Sequence, residues 1–518
     1  MKHTHTWSSA CSFDDLLPDS GVAALIDARQ IAIFRVGDAI YALDNYDPHS
    51  DANVLSRGLV GDLNGEPVVA SPVYKHHFNL ATGRCVEDAD CSVRAWPTRV
   101  SDGKIWIKTQ PLRKTRRRKL VVIGNGMAGM KVVEELLGIS GQPYEVTVFG
   151  AEPVPNYNRI LLSPMLAGEK RFDDIVLNPI EWYRDNGVTL HLGDPAVAID
   201  RIRRRVRSQS GIEADYDRLL LATGSNPIML PVPGKDLPGV VTFRDLQDVN
   251  TMLDAARTHK KSVVIGGGLL GLEAANALMK QGMQVTVVHL LETLMERQLD
   301  PVAAQLLRQS LEKRGLQFHM PAKTTAILGT DRVRGVQFAD DTIIEADLIV
   351  MAAGIRPNTE LARAAGLRCD RGVLVNDTLQ TFDPCVYAVG ECVQHRNNTY
   401  GLVAPLYEQA SVCATHLSEH GVGRYRGSML STHLKVTGID LFSAGDFLGG
   451  PGSEALVLRD AKRGIYKRIV LEDNKVRGAV LYGDTRDGAW YCELMNEGRD
   501  VGPLRDKLIF GEAVARRK

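Results

Sequence analysis

The sequence predicts an α/β protein built on two parallel-sheet units, with an all-β domain before them and an α+β domain after them. Apolar strands alternate with helix-forming segments from Lys119 to about Phe382, which is the pattern of parallel sheets with crossover helices. Short alternating strands separated by turn residues come first, as in residues 31–36 and 39–43. A hairpin pattern over residues 464–482 comes last. These changes in the sequence pattern mark the boundaries of the predicted domains.

Length and charge exclude several classes of protein. The chain has 518 residues, of which 44% are hydrophobic and 24% charged, so it can bury several globular cores. Its 62 Lys+Arg balance 62 Asp+Glu, which gives no overall attraction to nucleic acid or to an anionic membrane. The basic run at residues 113–119 is short, lacks aromatic residues and leads into an apolar strand. We interpret it as a solvated linker.

The cysteines and the N-terminus predict a cytoplasmic protein. None of the eight cysteines forms a C-x-x-C pair or a zinc-like spacing, so reduced thiols are expected. Residues 1–15 lack the apolar core of a signal peptide. The most apolar long stretch, residues 262–279, is interrupted by glycines and by Glu273, so no membrane span is expected.

The first nucleotide-binding motif follows the strand that begins at Lys119. Its glycines are Gly124, Gly126 and Gly129, and a helix-forming run follows them. In a dinucleotide-binding turn these glycines permit the tight turn, the approach of a pyrophosphate and close packing of helix and strand. The next strand ends near Glu152, whose carboxylate can accept hydrogen bonds from an adenosine ribose. The segment therefore predicts a Rossmann-like unit.

The second motif has the same context but a different residue after its second strand. Gly266, Gly268 and Gly271 follow an apolar strand, and residues 284–288 form the next strand. A carboxylate after that strand favours NADH, and an arginine favours NADPH. His289 stands there instead, so this position alone leaves the nicotinamide open, and a loop histidine without ligand contact is the alternative interpretation.

Three further apolar strands end in glycine turns, at residues 216–224, 353–358 and 386–391. Together with the two motifs they resemble, in family order from Lys119 to Ala404, the pyridine nucleotide–disulfide oxidoreductase superfamily of two-dinucleotide-binding flavoproteins. The resemblance implies FAD at the first motif and NADH at the second, with NADPH left open. Glu391 stands where the family usually has Asp. The implied FAD contacts are Gly124, Gly126, Gly129, Glu152, Arg159, Thr223, Gly224 and Glu391, and the implied nicotinamide nucleotide contacts are Gly266, Gly268, Gly271, Glu273, His289 and Gly354.

A narrower resemblance covers the ends of the chain as well. Residues 151–163, 294–300 and 430–438 are similar to the N-terminal half of the large subunit of NADH-dependent assimilatory nitrite reductases. The C-terminal segment resembles the C-terminal domain of NADH-rubredoxin reductases, and the first segment resembles the Rieske-like small subunit of nitrite reductases. The iron–sulfur and sirohaem domains of the large subunit are expected to be absent. The predicted domains are 1–110 (Rieske-like), 111–118 (basic linker), 119–238 with 356–405 (FAD-binding), 239–355 (NAD(P)-binding) and 406–518 (α+β).

The metal ligands of a Rieske centre are changed at the positions that align with them. Such a centre needs two cysteines and two histidines, and the aligned positions carry Asp47, His49, Ser71 and Tyr74. Aspartate and serine do not supply the soft thiolates that iron–sulfur clusters prefer. We therefore expect no iron–sulfur cluster, interpret His49 as structural, and identify no metal ligands.

The resemblance implies an electron-transfer subunit of assimilatory nitrite or nitrate reduction. Hydride would pass from the nicotinamide to the flavin, and the cofactors carry the chemistry, so we name no catalytic residue. The expected partner is a sirohaem nitrite reductase or a molybdenum nitrate reductase subunit. Two alternatives stay open: a generic NADH-dependent rubredoxin or ferredoxin reductase, which shares all flavin motifs, and a non-catalytic flavin-bound regulatory or assembly subunit. A disulfide reductase is disfavoured because residues 124–167 contain no cysteine.

Overall fold

The chain divides into two compact units. The computed structural model describes residues 6–88, 91–109, 117–139, 144–419, 423–429, 431–436 and 438–516. One unit comprises Met1–Arg117 with Thr415–Gly423, and the other comprises Arg118–Ala414 with Arg424–Lys518. Most of the predicted basic linker lies outside the described residues. None of the described helices is both long and apolar enough to cross a membrane.

The N-terminal unit is built from small antiparallel sheets. The strand Arg29–Val36 is central because its alternate side chains enter two different apolar clusters: Ile31 and Ile33 join one, and Ala32 and Phe34 join the other. The three-stranded sheets are Thr6–Ser12, Lys104–Thr109 and Thr98–Ser101; Ser20–Ile26, Arg29–Val36 and Ala39–Asp44; and Leu59–Leu63, Glu66–Ala70 and His77–Asn79. Tyr46–Asp47 pairs with Ala52–Asn53, and short 3-10 helices span Phe13–Asp15 and Leu55–Arg57.

The first parallel sheet of the second unit has five strands. Its central strand is buried on both faces, as its continuous apolar run requires, and the helix Met127–Ile139 follows it directly. The strand order is Val188–His191, Tyr144–Phe149, Arg118–Ile123, Arg218–Leu221 and Val386–Ala388. The last strand comes from a segment far along the chain. The chain of this parallel-sheet unit (the first unit) is therefore interrupted by a second parallel-sheet unit (the inserted unit).

The inserted unit repeats this architecture. Its five parallel strands lie in the order Val240–Thr242, Leu348–Met351, Lys261–Ile265, Gln284–Val288 and Gln317–His319. Its helices are Leu246–Thr258, Leu269–Lys280 and Pro301–Glu312. Asp300 caps the last of these, because its carboxylate accepts a hydrogen bond of 2.9 Å from Val302 N. The two connections between the units pair with each other as the antiparallel strands Ser225–Pro227 and Ile355–Pro357.

Smaller elements complete this part of the chain. The antiparallel ones are Asn156–Tyr157 with Val176–Asn178; Ala196–Asp200, Arg205–Ser208 and Glu213–Asp215; Thr324–Gly329, Val333–Phe338 and Ile343–Glu345; and Val393–His395 with Asn398–Thr399, next to Val373–Val375 in parallel. The helices are Leu162–Leu166, Ile180–Asp185, Glu360–Ala364 and Val403–Leu417, and the 3-10 turns are Arg159–Leu161, Phe172–Asp174 and Gly390–Cys392.

The C-terminal part is a five-stranded antiparallel sheet covered by a helix. The predicted hairpin is present: Ile465–Glu472 and Lys475–Tyr482 are joined at Asp473 and Asn474, whose φ angles of 48° and 55° suit a two-residue hairpin turn. The other strands are Ser431–Val436, Ile439–Gly445 and Glu454–Asp460. Helix Gly488–Glu497 buries Trp490, Tyr491 and Leu494 against the sheet, and Gly502–Leu504, Arg505–Leu508 and Glu512–Ala515 follow it.

Candidate functional site

The first glycine turn has the geometry that its sequence predicts. Gly124 has a φ of 114°, and a Cβ there would overlap the carbonyl oxygen of Ala222. A Cβ on Gly129 would lie 2.8 Å from the carbonyl oxygen of Gly124. Around Gly126, by contrast, a Cβ would meet nothing within 4 Å. Two glycines therefore permit the turn and the packing of helix on strand, and the third leaves space at the helix N-terminus.

Asn125 adds a polar group to this turn. Its Oδ1 accepts a hydrogen bond of 2.7 Å from the hydroxyl of Tyr183. Its Nδ2 is buried and has no hydrogen-bond partner among the described residues. A buried donor without a partner requires an explanation, and a helix N-terminus attracts anions. The turn therefore fits a phosphate group.

Glu152 and Arg159, both predicted site residues, are brought together beside this turn. Glu152 accepts hydrogen bonds from Arg159 and, at 2.7 Å, from the hydroxyl of Tyr157. Burial is the main cause that raises the pKa of Tyr157 above its ordinary value, so this phenol stays protonated and donates. Arg159 also donates to the carbonyl oxygen of Arg244 at 3.1 Å. The carboxylate that follows the second strand is thus held in a defined position.

Thr223, Gly224 and Glu391 meet where the connecting strands leave the first sheet. Glu391 accepts a hydrogen bond from Arg244 and another, at 2.8 Å, from the hydroxyl of Ser225. A Cβ on Gly224 would lie 3.4 Å from the guanidinium of Arg244. The hydroxyl of Thr223 donates to the carbonyl oxygen of Asn358 at 2.8 Å. Sequence reasoning missed Arg244, because it follows a short strand of the inserted unit and belongs to no motif.

The second glycine turn repeats the first. Gly266 has a φ of 130°, and a Cβ there would overlap the carbonyl oxygen of Ala352. A Cβ on Gly271 would overlap the carbonyl oxygen of Gly266, whereas one on Gly268 would meet nothing within 4 Å. The same division of roles among three glycines therefore occurs in both units.

His289 lies against the second glycine turn. Its Nδ1 accepts a hydrogen bond of 3.1 Å from the backbone N–H of Gly267, and its Nε2 lies 3.3 Å from Oε2 of Glu296. Glu296 was not predicted, because it lies beyond the strand end where the motif places an acid. A carboxylate is nevertheless present beside the turn.

Glu273 and Gly354 lie where the two parallel-sheet units meet. Glu273, on helix Leu269–Lys280, accepts a hydrogen bond of 2.6 Å from the hydroxyl of Ser163 in the first unit. Burial raises the pKa of Glu273. A Cβ on Gly354 would lie 3.5 Å from Ile228 in the connecting segment. The hydrogen bond between Ser163 and Glu273 joins the inserted unit to the unit that surrounds it.

The cysteine nearest Glu391 is not a reactive thiolate. Cys392 is fully buried, and its thiol donates to the carbonyl oxygen of Val389 at 3.3 Å. Burial raises its pKa, so the thiol resists ionisation. All eight cysteines are free thiols. This environment does not suit a disulfide reductase, which needs an accessible thiolate.

In the N-terminal unit, the positions that align with lost metal ligands form an internal hydrogen bond. Asp47 and Ser71 are fully buried, and the hydroxyl of Ser71 donates to Oδ2 of Asp47 at 2.5 Å. Asp47 also accepts from the backbone N–H of His49 at 3.0 Å. The ring of His49 stacks on that of His76, with ring centroids 3.8 Å apart. The two loops are thus tied together.

Comparison with known proteins identifies the family. A family model described as pyridine nucleotide-disulphide oxidoreductase matches residues 118–415, more than half of the chain. The chain belongs to this family. The predicted fold class and the assignment as an oxidoreductase are confirmed. A Rieske-like [2Fe-2S] domain model matches residues 6–108, and a rubredoxin NAD+ reductase C-terminal domain model matches residues 431–499, so the resemblances of both ends are confirmed as well.

Relatives support the same conclusion. The chain is 49% identical to a nitrite reductase [NAD(P)H] of Bacillus subtilis, over 74% of this chain and 48% of that protein. It is 43% identical to an assimilatory nitrate reductase electron transfer subunit of the same organism, over 77% and 52%. The chain therefore spans about half the length of these curated relatives. The structure resembles a putidaredoxin reductase in covalent complex with putidaredoxin, with a TM-score of 0.70 and 25% identity over 77% of this chain and 97% of that one.

The expectation that the chain has no iron–sulfur cluster is wrong. The match of residues 6–108 to a Rieske-like [2Fe-2S] domain indicates such a cluster. The expectation was based only on the aligned positions, which carry Asp47, His49, Ser71 and Tyr74. Folding brings other donors to His49, because the sulfur of Cys85 lies 3.8 Å from His49 Nε2 and the backbone N–H of Cys85 donates to the carbonyl oxygen of Cys91 at 3.1 Å. Two thiols and imidazoles, the donor types of a Rieske centre, are therefore present in this domain.

The packing of the first helix on its strand gives a test of stability. Gly129→Ala places a methyl group 2.8 Å from the carbonyl oxygen of Gly124 and from the Cβ of Ala222, so we expect destabilisation of about 1–3 kcal/mol. Gly138→Ala, on the same helix, meets nothing within 4 Å and should be neutral or stabilising by up to about 1 kcal/mol. Thermal unfolding of both variants measures the difference. Equal melting temperatures would contradict the role given to Gly129.

Proposed function

We propose that this chain is an NADH-dependent, FAD-containing electron-transfer protein of assimilatory nitrite or nitrate reduction. The observation that carries the proposal is the pair of equivalent glycine turns. In each turn a Cβ on the second glycine, Gly126 or Gly268, would meet nothing within 4 Å. The two parallel-sheet units that carry these turns are joined by strands that pair with each other. The names of the relatives, nitrite reductase and nitrate reductase electron transfer subunit, supply the pathway. The acceptor is a separate metal-containing protein, either a sirohaem nitrite reductase or a molybdenum nitrate reductase subunit.

FAD belongs at the first glycine turn. The space at Gly126 and the unpartnered Nδ2 of Asn125 suit its pyrophosphate. Glu152 suits a ribose hydroxyl because its carboxylate is already fixed by Arg159. Thr223, Gly224 and Glu391 would lie along the rest of the cofactor.

NADH belongs at the second turn, formed by Gly266, Gly268 and Gly271. His289 and Glu296 would face the adenosine ribose, where the Glu296 carboxylate repels a 2′-phosphate. Glu273 and Gly354 would border the nicotinamide end, because both lie where the two units meet.

The residues of the chain position the nucleotides and need not react. Bound at the first turn, FAD would supply the capacity to accept a hydride and to release single electrons. Arg244 compensates the charge of the part-buried Glu391, and Ser163 donates a hydrogen bond to the buried Glu273. These polar contacts hold the inserted unit at a defined distance from the first, as hydride transfer requires. No general acid or base is assigned.

The boundaries 119–238 with 356–405 for FAD binding and 239–355 for nicotinamide binding belong to the same proposal. So does a cytoplasmic location, which the eight free thiols suit. A rubredoxin-type reductase remains the second candidate because the C-terminal domain matches that family. The choice of electron acceptor separates the two.

The assignment of the two nucleotides is tested by matched substitutions. Gly126→Val fills the space proposed for the FAD pyrophosphate and should give flavin-free protein. Gly268→Val fills the equivalent space of the second turn, so this variant should retain its flavin while NADH reduces it at least about tenfold more weakly. Flavin absorbance and stopped-flow reduction measure both effects, and an exchange of the two phenotypes would refute the assignment.

The environment of His289 predicts a preference for NADH. Glu296→Gln removes the nearby carboxylate and should raise the relative kcat/KM for NADPH, because a charge that repels the 2′-phosphate is lost. Glu292→Gln, an exposed acid on the same loop, is the control. If the unaltered protein prefers NADPH by tenfold or more, about 1.4 kcal/mol of transition-state binding, this interpretation of the site is incorrect.

Purified protein should oxidise NADH with ferricyanide and leave nitrite and nitrate unchanged. Addition of a sirohaem or molybdenum partner from nitrate-grown cells should restore consumption of nitrite or nitrate, and the Gly268→Val variant should not support it. A flavin-bound regulator would show no ferricyanide reduction, and a rubredoxin-type reductase would reduce rubredoxin but not the restored system. Nitrite loss with the purified chain alone, at a comparable rate, would overturn the proposal.

A further inference from the structure

The N-terminal domain contains a group of metal-binding side chains that no sequence motif indicates. His49, Asp88 and Cys91 each present one donor atom, and these three atoms lie within 4.8 Å of one another. His49 Nε2 is 4.0 Å from Asp88 Oδ2. The three residues come from two separate segments, so the fold and not local spacing brings them together.

A second thiol adjoins this group. The sulfur of Cys85 lies 3.8 Å from His49 Nε2 and is buried. Its backbone N–H donates to the carbonyl oxygen of Cys91 at 3.1 Å, so the two cysteines are neighbours in the fold. The group therefore offers two sulfurs, an imidazole and a carboxylate, which is a donor set for zinc, ferrous iron or an iron–sulfur centre.

The surrounding structure holds His49 in place. Asp47 accepts hydrogen bonds from the backbone N–H of His49 and from the hydroxyl of Ser71. The stacked ring of His76 covers one face of the His49 ring, and Nδ1 of His76 is buried without a hydrogen-bond partner among the described residues. Asp47 and Ser71 thus act as supports for His49, and their polar atoms are engaged with each other.

The spacing of the donors is slightly wider than a bound ion requires. Metal–ligand bonds of about 2.0–2.3 Å place tetrahedral ligands roughly 3.3–3.8 Å apart. The Asp88 side chain is 44% exposed, so its carboxylate can approach the other donors at little packing cost. We propose that His49, Asp88 and Cys91, with Cys85 beside them, are the metal-binding residues of this domain, and that Asp47 and Ser71 are not.

The test uses the full-length flavoprotein, purified anaerobically and incubated with Zn²⁺, Co²⁺, or Fe²⁺ with sulfide before desalting. Metal and sulfide analysis give the stoichiometry, and electron paramagnetic resonance of the cobalt-loaded and dithionite-reduced forms reports the ligands despite the flavin. We expect bound metal in the unaltered protein. Iron with equimolar sulfide identifies a cluster, and one zinc or cobalt ion per chain identifies a mononuclear site.

Substitutions decide which residues bind. Cys91→Ser and His49→Gln should lower metal affinity more than about tenfold, since loss of even a supporting group costs on the order of 10–100-fold. Asp88→Asn should also weaken metal binding. Because the position is half-exposed, this variant is expected to keep its fold. Cys492→Ser, which alters a thiol of the C-terminal domain, should retain the metal. Ser71→Ala, which removes only a support of His49, should lose less metal affinity than Cys91→Ser. Circular dichroism verifies that each variant is folded. Absence of metal from the unaltered protein, or its loss in Ser71→Ala but not in Cys91→Ser, would refute the proposal.

Discussion

A steric constraint at two positions determines how this protein is built. The carbonyl oxygens of Ala222 and Ala352 occupy the space where a side chain on Gly124 or Gly266 would lie. Only glycine permits this approach at a positive φ. Because it does, each helix packs closely on its strand, while a Cβ on Gly126 or Gly268 would meet nothing within 4 Å. The two turns therefore share one design, and they are the sites proposed for the two pyrophosphates.

The two sites are useful together because polar contacts join the units that carry them. Arg244 belongs to the inserted unit yet pairs with Glu391 of the first, and Arg159 donates to the carbonyl oxygen of Arg244. Glu273 accepts a hydrogen bond from Ser163 in the same way. Such contacts are partly buried, and an unpaired partner becomes more costly as burial increases. They favour one arrangement of the two units, which is what transfer between two bound nucleotides needs.

The parts of the site that depend on local sequence could be predicted, and the parts that depend on long-range packing could not. The glycine turns and Glu152 follow directly from strand–turn–helix patterns, because their roles are set within a few residues. Arg244 and Glu296 lie outside any motif. The expectation of a domain without a cluster failed for the same reason. That expectation was based on two short sequence segments. Cys85 lies 36 positions from His49 in sequence, yet its sulfur is 3.8 Å from the His49 ring nitrogen. Alignment to a motif shows which metal-binding residues have been replaced, but it does not show which other metal-binding side chains the fold brings together.

The proposed function requires that one chain binds both nucleotides and passes a hydride between them. An anaerobic titration of the purified protein with NADH, followed by the absorbance of oxidised flavin, tests it most directly. We expect one FAD per chain and bleaching of its oxidised absorbance by NADH, with a much slower response to NADPH. Protein that binds FAD but keeps its oxidised spectrum in excess NADH and NADPH would contradict the account.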